Sequence, residues 1–238
     1  MIEGRDTVTI ALAAASTIVA VAFACALLER WVARRRPHEL AWSVALVLFA
    51  CGSLAMWSGA ALGWHGWNFR LFYAFGAVVN VPFLALGTVE LLMPRIAPIV
   101  RAGVALACAF AFGVVVVAPF TAAVPVDVLP QGSDVFGLLP RVLAAVFSAG
   151  SAVVVFAGAA TSAVRLARGR GTSRLAAGNA VIALGTVILS MSGLLNSALG
   201  QMKAFSVTLT IGITVLFVGF LITTSPRAAE PRALRAVA

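Results

Sequence analysis

Long apolar runs alternate with short polar clusters along the whole chain. Seven runs reach the roughly 20 residues that a helix needs to cross a hydrocarbon core. They are Val8–Leu28, Leu40–Gly63, Leu71–Met93, Ile96–Phe120, Val142–Val164, Leu175–Leu199 and Phe205–Thr224. Lipid offers no hydrogen bonds, so a spanning segment must satisfy its backbone as a helix or in a closed barrel. Barrel strands alternate in polarity over about ten residues between turns. These unbroken runs do not, and they predict helices. The expected fold is all-α: one polytopic domain over residues 1–224 with seven transmembrane helices, followed by a short basic tail, 225–238. The tail is Ala/Arg-rich and broken by prolines, a composition that points to disorder.

Composition agrees with this reading. The chain is 62% hydrophobic and 11% charged, with mean hydropathy +1.06. A soluble domain averages about 25% charged residues. The formal charge of +9 would suggest nucleic acid if the basic residues formed a patch. They do not. Arg30, Arg34, Arg35, Arg36, Arg95, Arg101, Arg165, Arg168, Arg170, Arg174, Arg227, Arg232 and Arg235 fall in the loops of one side. Only Arg5, Arg70, Arg141 and Lys203 fall on the other. The positive-inside rule then predicts an outside N-terminus and a cytoplasmic C-terminus in the cell membrane. The expected partners are the bilayer, anionic headgroups at the cytoplasmic arginine clusters, and another membrane protein or a second copy, with no nucleic acid.

A parallel internal repeat is a further expectation. Ala15–Gly63 and Gly150–Gly200 each contain a small-residue helix, an arginine-rich loop and an apolar helix ending in Ala-Leu-Gly. The order implied is three helices, one linker helix and three helices, an arrangement found in transporters. This plan resembles sugar transporters of the SWEET and PQ-loop class, and seven spans resemble the rhodopsin topology. Both resemblances are of topology alone. Pro130-Gln131 lies in an outer loop and Lys203 at the outer end of the seventh span, away from the positions those families use.

Ionisable residues within spans are candidate functional sites. Glu90 is the acid expected there, about one turn from the arginine-rich end, with Arg95 or Arg101 as its partner. Asn80 lies at mid-span beside Pro82, and Tyr73, Asn80 and Gly87 share a face if the helix is regular. On the sixth span Asn179, Ala183, Thr186, Ser190, Gly193 and Ser197 form one seam, next to Asn196. Ser148, Ser151, Val155, Gly158 and Ser162 do the same on the fifth. Small polar seams either line a path or let helices pack closely. The candidate ligand or pore residues are therefore Trp57, Tyr73, Asn80, Glu90, Asn179, Thr186, Ser190 and Asn196. Trp64 and Trp67 are expected in an aromatic belt at the headgroups. The loop Thr121–Pro140 is expected to be a connector.

No catalytic set emerges. His38 and His65 fall on opposite sides, so they cannot share a metal or haem. Cys25, Cys51 and Cys108 lie in three separate spans without a paired motif, and no cofactor is expected. Two functions fit. The first is a permease or channel-like protein for a small neutral or weakly polar solute. The second is a non-enzymatic sensor, lipid-binding or accessory subunit.

Overall fold

The structure, a computed structural model, describes the backbone of residues 7–170, 173–199 and 202–224. Side chains at 170, 192–199 and 202 lie outside the description. Among the described residues the chain is helical, with one isolated β-bridge between Phe120 and Phe136 and no strand. Seven helices are long and apolar enough to span a membrane. They are α1 (Thr7–Arg34), α2 (Pro37–Leu62), α3 (Gly66–Leu92), α4 (Ala97–Val117), α5 (Leu138–Arg165), α6 (Ser173–Leu199) and α7 (Met202–Thr224).

Local chemistry sets the boundaries. Arg35 adopts φ 53 and its N–H bonds to the Trp31 carbonyl at 2.7 Å, a left-handed cap that ends α1. Pro37 then starts α2 at a position where a missing N–H costs nothing. The reversal is therefore shorter than the hydropathy pattern suggests, and it carries His38 and Glu39 into a helix. Gly63, at φ 102, ends α2. His65 and Asn68 open α3 with a reciprocal capping box, and the Asn68 side chain also donates to the Gly63 carbonyl at 2.9 Å.

The third span is not a regular helix. Phe72–Val79 is wound as a π-helix, with hydrogen bonds reaching five residues instead of four. This wider turn rotates Tyr73 relative to Asn80, so the expected common face of Tyr73, Asn80 and Gly87 is lost. The irregularity leaves the Ala77 carbonyl short of donors. Its α-helical donor, the Val81 N–H, turns to Asn80 Oδ1 at 2.8 Å. Its π-helical donor would be Pro82, which has no N–H. The Ser148 hydroxyl of α5 donates to Ala77 instead. Ser148→Ala is expected to cost about 1 kcal/mol by leaving a partly buried carbonyl unpaired, read as a shift of the unfolding midpoint in mixed micelles. A midpoint equal to wild type would show that another group satisfies Ala77.

The helices α1, α2, α3, α5, α6 and α7 pack in that order as a ring, which closes where α7 meets α1. Helix α4 stands outside, against α3 and the edge of α5. The Ser16 and Thr210 hydroxyls bond across the closure at 2.8 Å. Between α6 and α7 the backbones approach at Gly178, Gly185, Gly212 and Gly219. Close approach through small residues is how membrane helices gain contact where the hydrophobic effect is absent.

Two apolar clusters fill the interior. One joins α1, α2 and α7 through Ala20, Phe23, Leu27, Leu46, Phe49, Ile213 and Phe220. The other lies toward the opposite end and includes Met56, Trp64, Phe69, Val78, Val115 and Phe136. Trp64 belongs to this core at 2% exposure, in contrast to the belt position expected for it, whereas Trp67 is exposed. The Thr121–Pro140 segment is also more than a connector. The Thr121 N–H bonds to the Val135 carbonyl and the Trp64 N–H to the Val126 carbonyl, both at 2.9 Å. Phe136 stacks on Phe69 at 5.5 Å, while Arg70 lies 4.0 Å over the Phe120 ring and donates to the Val115 carbonyl at the end of α4. The segment is thus packed over the ring end. Cys108 is buried, whereas Cys25 and Cys51 are exposed on the helix surfaces.

Candidate functional site

Two features concentrate chemistry: the arginine-rich end of the bundle and a groove on its flank. At that end each of two carboxylates is held by one arginine. Glu90 Oε1 accepts from Arg101 at 2.7 Å (Nη2) and 2.8 Å (Nε). Arg101, not Arg95, is therefore its partner. Glu39 Oε1 accepts from Arg30 Nε at 3.1 Å, and the Arg30 guanidinium also lies 5.5 Å from the centre of the Phe220 ring. The second oxygen, Oε2, of each glutamate is buried without a hydrogen-bond partner. His38 is within electrostatic reach of both carboxylates and packs edge-on against Trp42 at 5.2 Å. Trp42 Nε1 donates to the Leu84 carbonyl, which fastens α2 to α3.

Glu39 is the residue that sequence reasoning missed. Its side chain is 2% exposed. The hydropathy pattern places it in a loop because three arginines and a proline precede it. Pro37 was the available signal, since proline favours the first turn of a helix.

The polar candidates do not converge. Asn80 is buried, and its Oδ1 serves the backbone beside it. Asn179 donates to the Leu175 carbonyl, Thr186 to Ile182 and Ser190 to Thr186, each at 2.9 Å and each one turn back on α6. Thr186 is buried, Asn179 is partly buried and Ser190 is exposed. The side chain of Asn196 lies outside the described residues, as do those of Gly193 and Ser197. Trp57 and Tyr73 are partly buried against the cluster that holds Trp64.

The groove lies between α3, α4 and α5 and has a volume of about 330 Å³. Each helix contributes one face. Pro82, Ala85, Leu86 and Val89 on α3 are spaced three and four apart, as are Val100, Gly103, Val104 and Ala107 on α4. Helix α5 adds Val146, Phe147, Gly150, Ser151 and Val154. Only Ser151 brings a polar side chain. None of the eight candidates from sequence lines the groove.

Among the described residues no three His, Cys, Asp or Glu side chains form a group that could hold a metal ion. The chemistry on offer is apolar contact in the groove and charge at its arginine-rich end. Comparison with protein-family models, curated proteins and solved structures gave no match for this chain.

Proposed function

We propose that this chain is a non-enzymatic, lipid-binding protein of the cell membrane, with its arginine-rich end in the cytoplasm and its N-terminus outside. One observation carries the reading: the groove accessible from the flank is lined almost wholly by apolar side chains. The hydroxyls and amides of α6 support it, because they bond to their own helix and leave few polar groups to replace a solute's hydration. The orientation rests on the uneven distribution of arginine.

A permease is the second reading, favoured by the ring. Under a parallel repeat, α1–α3 would correspond to α5–α7, with α4 as linker. The contact of α3 with α5 would then correspond to that of α7 with α1, and α4 would stand outside, as it does. Stopped-flow swelling of reconstituted vesicles in glycerol, urea and small sugars separates the two readings. The lipid-binding reading expects rates equal to those of protein-free vesicles. Faster swelling that is lost in Asn80→Leu or Asn179→Leu, with folding intact, would replace it with the permease.

A further inference from the structure

We infer that the groove between α3, α4 and α5 is a site for one anionic phospholipid, with an acyl chain lying along the groove and the phosphate held by arginines at its mouth. The inference rests on the lipid-binding reading above and specifies the lipid.

The argument for this occupant is complementarity of both shape and charge. Gly103 and Gly150 open the groove from opposite walls, and a Cβ added to either would meet nothing within 4 Å. Along α4 the lining runs from Val100 to Ala107. That is about 10 Å of helix, enough to lie along much of one acyl chain but too short to span the bilayer. The lining therefore stops part-way along the helices at Ala107, and its other end, at Val100, lies next to Arg101.

That end is basic. Arg101 follows Val100 directly and its side chain is 52% exposed. Its Nε and Nη2 both face Glu90, which leaves the opposite edge, with Nη1, directed away from the carboxylate. Glu90 thus fixes the guanidinium while only one of its edges is used. Arg95, in the turn that joins the lining residues Val89 of α3 and Val100 of α4, is also exposed. Two arginines, Arg95 and Arg101, thus flank this end of the groove where α3 turns into α4. With Glu90 subtracted, the mouth carries an excess of positive charge that a zwitterionic headgroup would not balance. Guanidinium groups suit phosphate because they offer paired donors in one plane.

The test is native mass spectrometry of the full chain in mild detergent, after delipidation, titrated with phosphatidylglycerol or phosphatidylcholine. Phosphatidylglycerol is expected to be retained as a single adduct, on the order of tenfold better than phosphatidylcholine, since each nearby basic residue contributes about fivefold. Gly103→Phe and Gly150→Phe place a ring where an added Cβ meets nothing within 4 Å, and should abolish the adduct while circular dichroism and unfolding midpoint stay unchanged. Arg95→Gln should lower retention of phosphatidylglycerol about fivefold and leave phosphatidylcholine as it was. Equal retention of the two lipids overturns the site. An adduct that survives both filled grooves also overturns it and assigns the lipid to the arginine surface alone. Dimers that Gly150→Phe disperses, with no lipid adduct, overturn it in favour of a second copy of the chain. The first two failures leave the chain a lipid binder and so are distinct from failure of the lipid-binding reading, whereas dimers without an adduct overturn both, and solute flux overturns the reading in favour of the permease.

Discussion

Arg30→Met should destabilise the protein by about 3 kcal/mol, because it strands the Glu39 carboxylate in the interior. Glu39 is buried, Arg30 is its hydrogen-bonding partner at 3.1 Å, and its other oxygen has no donor. A lone buried charge is far costlier than a buried pair, and breaking such a pair typically costs about 3–5 kcal/mol. The lower figure applies because Arg30 is itself 24% exposed, so water can reach the edge of the site. The double variant Arg30→Met/Glu39→Leu removes both charges and should recover most of the loss, since hydrophobic replacement of a buried pair is often neutral. Reversible unfolding in mixed micelles measures all three proteins. If Arg30→Met lies within about 0.5 kcal/mol of wild type, the ion pair contributes little to stability. The corresponding Arg101→Met should cost less, because Arg101 is half-exposed and water already reaches that pair.

Gly52→Leu is the second large effect. A Cβ at Gly52 would lie 2.9 Å from the Gly76 nitrogen and 3.0 Å from its Cα. Both are backbone atoms of the π-wound part of α3, so no side chain can swing aside. The two helices would have to separate, which loosens the packing of α2 on α3. A cost of about 3 kcal/mol is expected, at the upper end for overpacking, and it should appear as a lower unfolding midpoint. Gly113→Leu is the control, since a Cβ there meets nothing within 4 Å and should leave the midpoint in place. Equal midpoints for Gly52→Leu and Gly113→Leu would mean that α2 and α3 do not approach so closely.

The seven helices were legible because hydropathy is a property of whole segments, and a membrane helix has little freedom to be anything else. Features that depend on single residues were harder to read. Glu39 looked like loop because polarity marks a span boundary, but helix geometry continues through polar residues once Pro37 has started it. The face shared by Tyr73, Asn80 and Gly87 assumed a constant turn of 3.6 residues, which the π-helix of Phe72–Val79 interrupts. Pro82 signalled an irregularity, but it could not show that the missing donor would be replaced by Ser148 from another helix. The α6 seam was real as a spacing. Its hydroxyls nevertheless bond back to their own carbonyls, a choice that periodicity does not record. The groove was invisible because nothing about Gly103 or Gly150 in isolation says that three helix faces will diverge there.

The closure of the ring by α7 on α1 bears on how the protein is made. Ala20, Phe23 and Leu27 of α1 complete their contacts with Ile213, Leu216 and Phe220, almost two hundred residues later in synthesis. Until the seventh segment leaves the ribosome, that flank of the first has no permanent neighbour. It must wait against lipid or against the machinery that inserts membrane helices. A nascent chain stalled with α7 still inside the ribosomal exit tunnel would hold six helices in the bilayer with an open seam, a state suited to site-specific crosslinking from position 23.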